Sequence, residues 1–182
     1  MKPVGALMTE HRLIERMLGV VEREIPKIEA RNGIEPVFVD TVVDFIRIYA
    51  DRTHHAKEED ILFKEVGKKE MTREDRALLD VLLSEHDFGR KTVREVIEAK
   101  ERYLRNEAGA LAVILEKLNA LIVFYHEHIR KEDDLFFPAS MRYLSNEEQD
   151  AILLEFWESD RKMIHEKYRS VVETWESVAG ER

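Results

Sequence analysis

No cysteine occurs among the 182 residues, which excludes disulfide bridges, thiolate metal sites and cysteine nucleophiles. Any metal must therefore be held by nitrogen and oxygen. Only 4 prolines and 7 glycines interrupt the chain, far from the turn-rich composition of sandwiches and barrels and in keeping with long helices. No basic stretch is free of interleaved acids, and 29 Lys and Arg against 38 Asp and Glu leave a net charge of -9. A nucleic-acid partner, which needs a concentrated cationic face, is disfavoured. There is no apolar run long enough for a membrane span or a signal peptide, so the expected setting is cytoplasmic with no membrane partner. No low-complexity linker divides the chain, and its length suits one core better than two, so residues 1–182 are expected to form a single domain.

What is present is helical periodicity, in five segments. The first is expected over Pro3 to Ala30, closed by Asn32-Gly33 and kinked or thinned at Pro26. The second opens near Pro36, a residue suited to a first turn, and stops before Gly67. The third starts with Thr72, with Asp75 three residues on in the manner of a capping box, and runs to about Arg105. The fourth follows residues 106–109 and ends before Pro138; Ser145 with Glu148 caps a fifth that reaches about Val178. Short connections predict an all-α fold: an up-down-up-down four-helix bundle over about residues 3–140, with an additional C-terminal helix over about 145–178.

The chain also repeats itself. TEHRLIER matches SEHDFGRK at an offset of 75 residues, and HHAKEEDILF matches HIRKEDDLFF at an offset of 74. Two helix pairs of one plan are expected to pack about a pseudo-twofold axis, with the repeated residues converging on it. On each helix the apolar stripe contains a histidine: Leu7, His11, Ile14, Leu18 in the first; Ile46, Ala50, His54, Glu58, Ile61 in the second; Leu82, His86, Gly89, Val93 in the third; Leu121, Tyr125, His128, Glu132, Leu135 in the fourth. Gly89 is expected to leave room beside His86.

A lone histidine on an apolar face is ordinarily a hydrogen-bonded core residue. Four of them with two carboxylates leave too many polar groups to satisfy, since each unpaired one costs about 1–3 kcal/mol. A metal centre removes the difficulty by turning the same atoms into ligands, and His54 with Glu58 and His128 with Glu132 stand one turn apart on one face. Imidazole and carboxylate suit iron, manganese or zinc.

This set, H, HxxxE, H, HxxxE on four successive helices, resembles the haemerythrin-like (HHE cation-binding) family, through His11, His54, Glu58, His86, His128 and Glu132. The EHxxGR and LFF-P phrases are similar to those of its stand-alone prokaryotic members. The resemblance implies two non-haem iron ions, carboxylate- or oxo-bridged, that bind or react with dioxygen, peroxide or NO. Peroxide or ferroxidase-type activity, an iron- or redox-responsive sensor, and metal storage are the alternatives. One departure matters: oxygen carriers have another histidine four residues after the third-helix histidine, where this chain has Arg90. Water, Glu15 or a fifth-helix residue such as His165 is expected to complete the ligand set, with Arg90 either stabilising an anionic ligand or pairing with an acid such as Glu15. His55 and Glu59 lie one step round from the stripe and are expected to face outward or to stand behind the ligands. His126 is expected to be exposed, and Tyr49 and Tyr125 to fill space.

Overall fold

A computed structural model describes residues 2–180, with side chains as far as Met163. Five long helical rods follow one another, and no strand occurs among the described residues. Helix α1 (Pro3–Arg31) begins on a proline, whose missing N–H would have had no partner in a first turn, and carries on past Pro26 to Arg31. It closes on Asn32, at φ 49°, with the Asn32 and Gly33 amides returning to the Glu29 and Ile28 carbonyls. Helix α2 (residues 36–67) is continuous but not uniform: α-helical over Pro36–Asp44, π-helical over Phe45–His55 and Glu58–Phe63, α-helical again over Lys64–Gly67. Helix α3 is Arg73–Leu104. Helix α4 (residues 110–140) is α-helical over Ala110–Lys131, π-helical over Glu132–Phe136 and α-helical over Phe137–Ser140. A 3-10 turn, Met141–Tyr143, leads to α5 (Asn146–Gly180).

The two caps differ in completeness. Ser145 and Glu148 exchange both hydrogen bonds, 2.9 and 3.2 Å. At the start of α3 the Asp75 amide donates to Thr72 Oγ1, but the return arm is relayed: the Thr72 amide donates to the Tyr143 hydroxyl, which donates to Asp75. The cap thus also anchors the turn before α5.

Two apolar cores flank a polar middle. One gathers Ile14, Leu18, Val43, Val93 and Leu118; the other gathers Leu7, Leu62, Leu82, Phe136 and Phe137 with Ile152 and Phe156 from α5. The space expected beside Gly89 is taken by Phe124, 3.0 Å from where a Cβ would stand, and that ring stacks on His128. The π turns explain where α-helical counting goes astray. Hydrogen bonding to the fifth residue back adds about one residue per turn, so the inward face advances by one position. Leu135, expected on the core stripe, is 56% exposed, and Phe136 takes its place at 0%. No described helix is long and apolar enough to cross a membrane.

Candidate metal centre

The widened turns of α2 do the same to its histidines. A regular helix would turn His55 away from a core-facing His54; in the π-helical stretch ending at His55 both are buried, at 1% and 2% exposure. His55 stacks flat on His86, ring centroids 3.9 Å apart. The expectation that His55 faces outward is therefore corrected, and the cause is the extra residue per turn.

Seven buried side chains meet between the two cores. His55, Glu58, His86 and His128 form one group, and His11, His54, Glu58 and Glu132 a second; within each, the donor atoms lie within 4.8 Å of one another. The carboxylates join the groups. Glu58 lies 3.4 Å from His54 Nε2 and 3.5 Å from His86 Nε2; Glu132 lies 3.2 Å from His11 Nε2, 3.3 Å from His128 Nε2 and 3.7 Å from His86 Nε2. The six residues predicted to ligate are all brought together here, with His55 as a seventh.

Behind four of the five rings stands an acid, and behind each of those acids a base. His11 Nδ1 donates to Asp133 (2.7 Å), which Arg12 grips; His54 Nδ1 donates to Glu10 (2.9 Å), gripped by Lys57. His86 Nδ1 donates to Glu59 (2.6 Å), gripped by Arg90; His128 Nδ1 donates to Glu85 (2.9 Å), gripped by Lys131. A carboxylate only accepts, so Nδ1 carries a proton, and in a neutral ring Nε2 turns its lone pair inward. This is the arrangement by which proteins orient imidazole ligands and raise their basicity.

These inward atoms fit a cation. His11 Nε2, His54 Nε2, both nitrogens of His55 and all four oxygens of Glu58 and Glu132 are buried without a hydrogen-bond partner. His86 Nε2 and His128 Nε2 face each other at 3.1 Å, and with both rings neutral and protonated at Nδ1 they meet lone pair to lone pair. That contact is repulsive between neutral rings, yet it is the separation of adjacent ligands on an ion bonded at about 2.1 Å. Were an ion held by each group, Glu58 and Glu132 would lie within reach of both. The donor set, all nitrogen and carboxylate oxygen, admits iron, manganese and zinc.

Without a cation the protons are unevenly held. Burial alone would lower the His11 pKa, but Asp133, hydrogen-bonded at Nδ1, and the Glu132 carboxylate, 3.2 Å from Nε2, outweigh it and raise the ring to about 9. His54 is pushed down to about 4 by burial and by the charge on His11, and His55 falls well below its ordinary value by burial and by His86 and His128. Glu58 is raised by burial and by Glu132, whereas Glu132, which three histidines face, is held low.

The remaining sequence candidates fall outside this core. Glu15 is one-third exposed and pairs with Arg12, 3.0 Å, in neither group. Arg90 makes ion pairs, as one of its two expectations had it, but with Glu59, Asp51 and Asp87 instead of Glu15. The His165 side chain lies outside the described residues. His126 is 46% exposed and pairs with Glu22; Tyr49 stacks on Phe45, and Tyr125 is buried against His55. Sequence reasoning passed over Glu10, Lys57, Glu85, Lys131 and Asp133. The repeat contains them all: Glu10 and Glu85 precede matching histidines, and Lys57 and Lys131, like Glu59 and Asp133, are 74 residues apart.

The family model described as "Hemerythrin HHE cation binding domain" matches residues 2–140. An uncharacterized protein of Mycobacterium bovis and two from strains of Mycobacterium tuberculosis are each 23% identical over 168 residues, 92% of this chain. The chain spans 65% of the length of these relatives. No solved structure matches the chain.

Proposed function

Since the chain belongs to the haemerythrin HHE cation-binding family, we propose that it holds two iron ions between its cores and that this centre binds or reacts with dioxygen or a related small ligand such as peroxide or NO. The observation that carries the reading is the convergence of partnerless buried nitrogen and oxygen atoms on two adjoining points. Iron would supply electron exchange and a coordination position for the small ligand. The chain's own part is to make the two points unequal. His55, His86 and His128 serve one ion and His11 and His54 the other, while Glu58 and Glu132 reach both. The ion with fewer histidines is the one at which a small ligand would bind. His55 thereby supplies, from α2, the ligand that α3 lacks because Arg90 stands there. The apolar cores on either side keep bulk water from the buried ligands. Residues 1–182 are read as one domain, with four helices alternating in direction, because the connections 32–35, 68–72 and 105–109 leave little room for any other return.

A second reading, an iron- or redox-responsive module, is supported by Lys57. It is 1% exposed and joins Glu10, behind His54, to Asp160 of α5 at 2.7 Å, so a change at the centre would be felt by the C-terminal helix. A centre for two ions is too small for bulk storage. Metal analysis with visible spectra before and after dithionite and air tests the main reading. Two iron atoms per chain and bands that respond reversibly to reduction and air are expected; a colourless protein with stoichiometric zinc would overturn it.

A further inference from the structure

Of the five clustered histidines, four have a hydrogen-bonded carboxylate behind them and His55 does not. The carboxylate oxygen of Asp51 is 3.6 Å from its Nδ1 and is held by Arg90 at 2.8 Å. On that side the helices leave a cavity of about 320 Å³ between α2 and α3, with His55, Asp51 and Tyr125 among its inner residues and Ile46, Val93 and Ile97 as apolar walls. Arg47 and Arg94, both exposed, stand on its outer part, and neither makes an ion pair among the described residues.

The hydrogen-bonding inventory of this cavity is lopsided. Arg47, Arg90 and Arg94 can only donate. His55 donates through Nδ1 once Nε2 is turned to a metal, which is the one contribution that rests on the metal reading. The carboxylate of Asp51 accepts, but Arg90 already engages it. A donor-rich cavity selects an acceptor, and guanidinium groups on two facing helices select an anionic one. Its apolar walls and its size, at the small end of ligand pockets, select an anion with a short hydrocarbon body over a bare inorganic ion. We propose that the cavity binds a small organic carboxylate, its charge met by Arg47 and Arg94 and its body packed on Ile46, Val93 and Ile97, directly behind the fifth histidine of the metal centre. The position opposite Arg90 in the repeat is Glu15, and the position opposite His55 is Ile129.

Calorimetric titration of the full chain, metal-free and metal-loaded, with acetate, butyrate and benzoate, and with benzyl alcohol and nitrate as controls, tests this. Affinity is expected to rise along the carboxylate series in both forms, with benzoate at least about tenfold tighter than benzyl alcohol or nitrate, about 1.4 kcal/mol. The double variant Arg47→Ala/Arg94→Ala, whose side chains are exposed and remote from the ligands, is expected to keep its fold and metal content and to lose at least about tenfold in benzoate affinity. Val93→Trp, which fills the cavity, is expected to abolish binding. No binding by any carboxylate up to about 10 mM, equal binding of benzoate and benzyl alcohol, or an arginine variant indistinguishable from the parent would overturn the proposal. Elemental analysis of each sample separates the two readings. Benzoate binding without iron counts against the metal proposal alone, and iron without benzoate binding counts against the cavity alone.

Discussion

Replacing His55 by leucine should change stability in opposite directions depending on whether metal is bound. In the metal-free chain His55 is neutral at pH 7, because burial and its histidine neighbours lower its pKa. It is 2% exposed, and neither ring nitrogen has a hydrogen-bond partner. Each such group costs about 1–3 kcal/mol relative to a satisfied one. Leucine has similar bulk and no polar atom, so His55→Leu removes two unmet demands but also the stacking on His86, which is worth about 0.5–1.5 kcal/mol. The net expectation is a metal-free protein about 2 kcal/mol more stable, or roughly 4–8 °C higher in Tm for a chain of this length. With metal the sign reverses, since the variant lacks a ligand and forfeits binding free energy that the parent gains on folding. Chemical denaturation of stripped and iron-loaded samples, with iron counted in each, provides the measurement. A variant that is destabilised when stripped and binds iron like the parent would refute both the burial argument and the ligand assignment.

Glu10→Gln and Glu85→Gln should each weaken metal binding by about 10- to 100-fold, because the acid that orients His54 or His128 becomes an amide; unchanged competition against a chelator would contradict the backing role. Metal affinity should rise with pH up to about 9, since the His11 ring, raised to that value, must give up its proton to ligate. In the metal-free fold the sign is opposite: the stabilisation from protonated His11 is fully present below its ordinary pKa of 6.5 and is lost as pH rises through 9, so stripped protein should weaken there. Denaturation midpoints and metal titrations from pH 6 to 10 check both slopes. Lys57→Met should cost about 2–3 kcal/mol, less than a fully buried pair because Asp160 is half exposed, and should loosen α5, read as faster amide exchange around Phe156. An unchanged exchange pattern would remove the link between the centre and α5.

The five helices, their ends and the four core histidines were legible because they depend on local signals: proline and cap residues at the ends, and an apolar period that holds for as long as the helix stays regular. His55 and Leu135 were misjudged for one reason. Both lie in or beside π-helical stretches, and a 3.6-residue period turns them to the wrong side. Nothing in HHAKEEDILF states that its helix widens, and the rings that His54 and His55 meet, His11 and His86, come from other helices. Arg90 had a legible role but not a legible partner, because Asp51 and Glu59 reach it only through the packing of α2 on α3. The acids and lysines behind the rings were overlooked because singly they read as solvated charge; compared across the repeat, they stand out as pairs.

Carrying both copies of the helix pair in one chain has a consequence for how such a centre can change. Were the same bundle a symmetric dimer of identical pairs, each residue near the axis would be present twice, and any substitution would alter both ions at once. Covalent joining lifts that constraint. The α1–α4 side retains Glu15 and Ile129 where the α2–α3 side has Arg90 and His55, so two ions held as proposed could be tuned separately, one toward full ligation and the other toward exchange with ligands from outside.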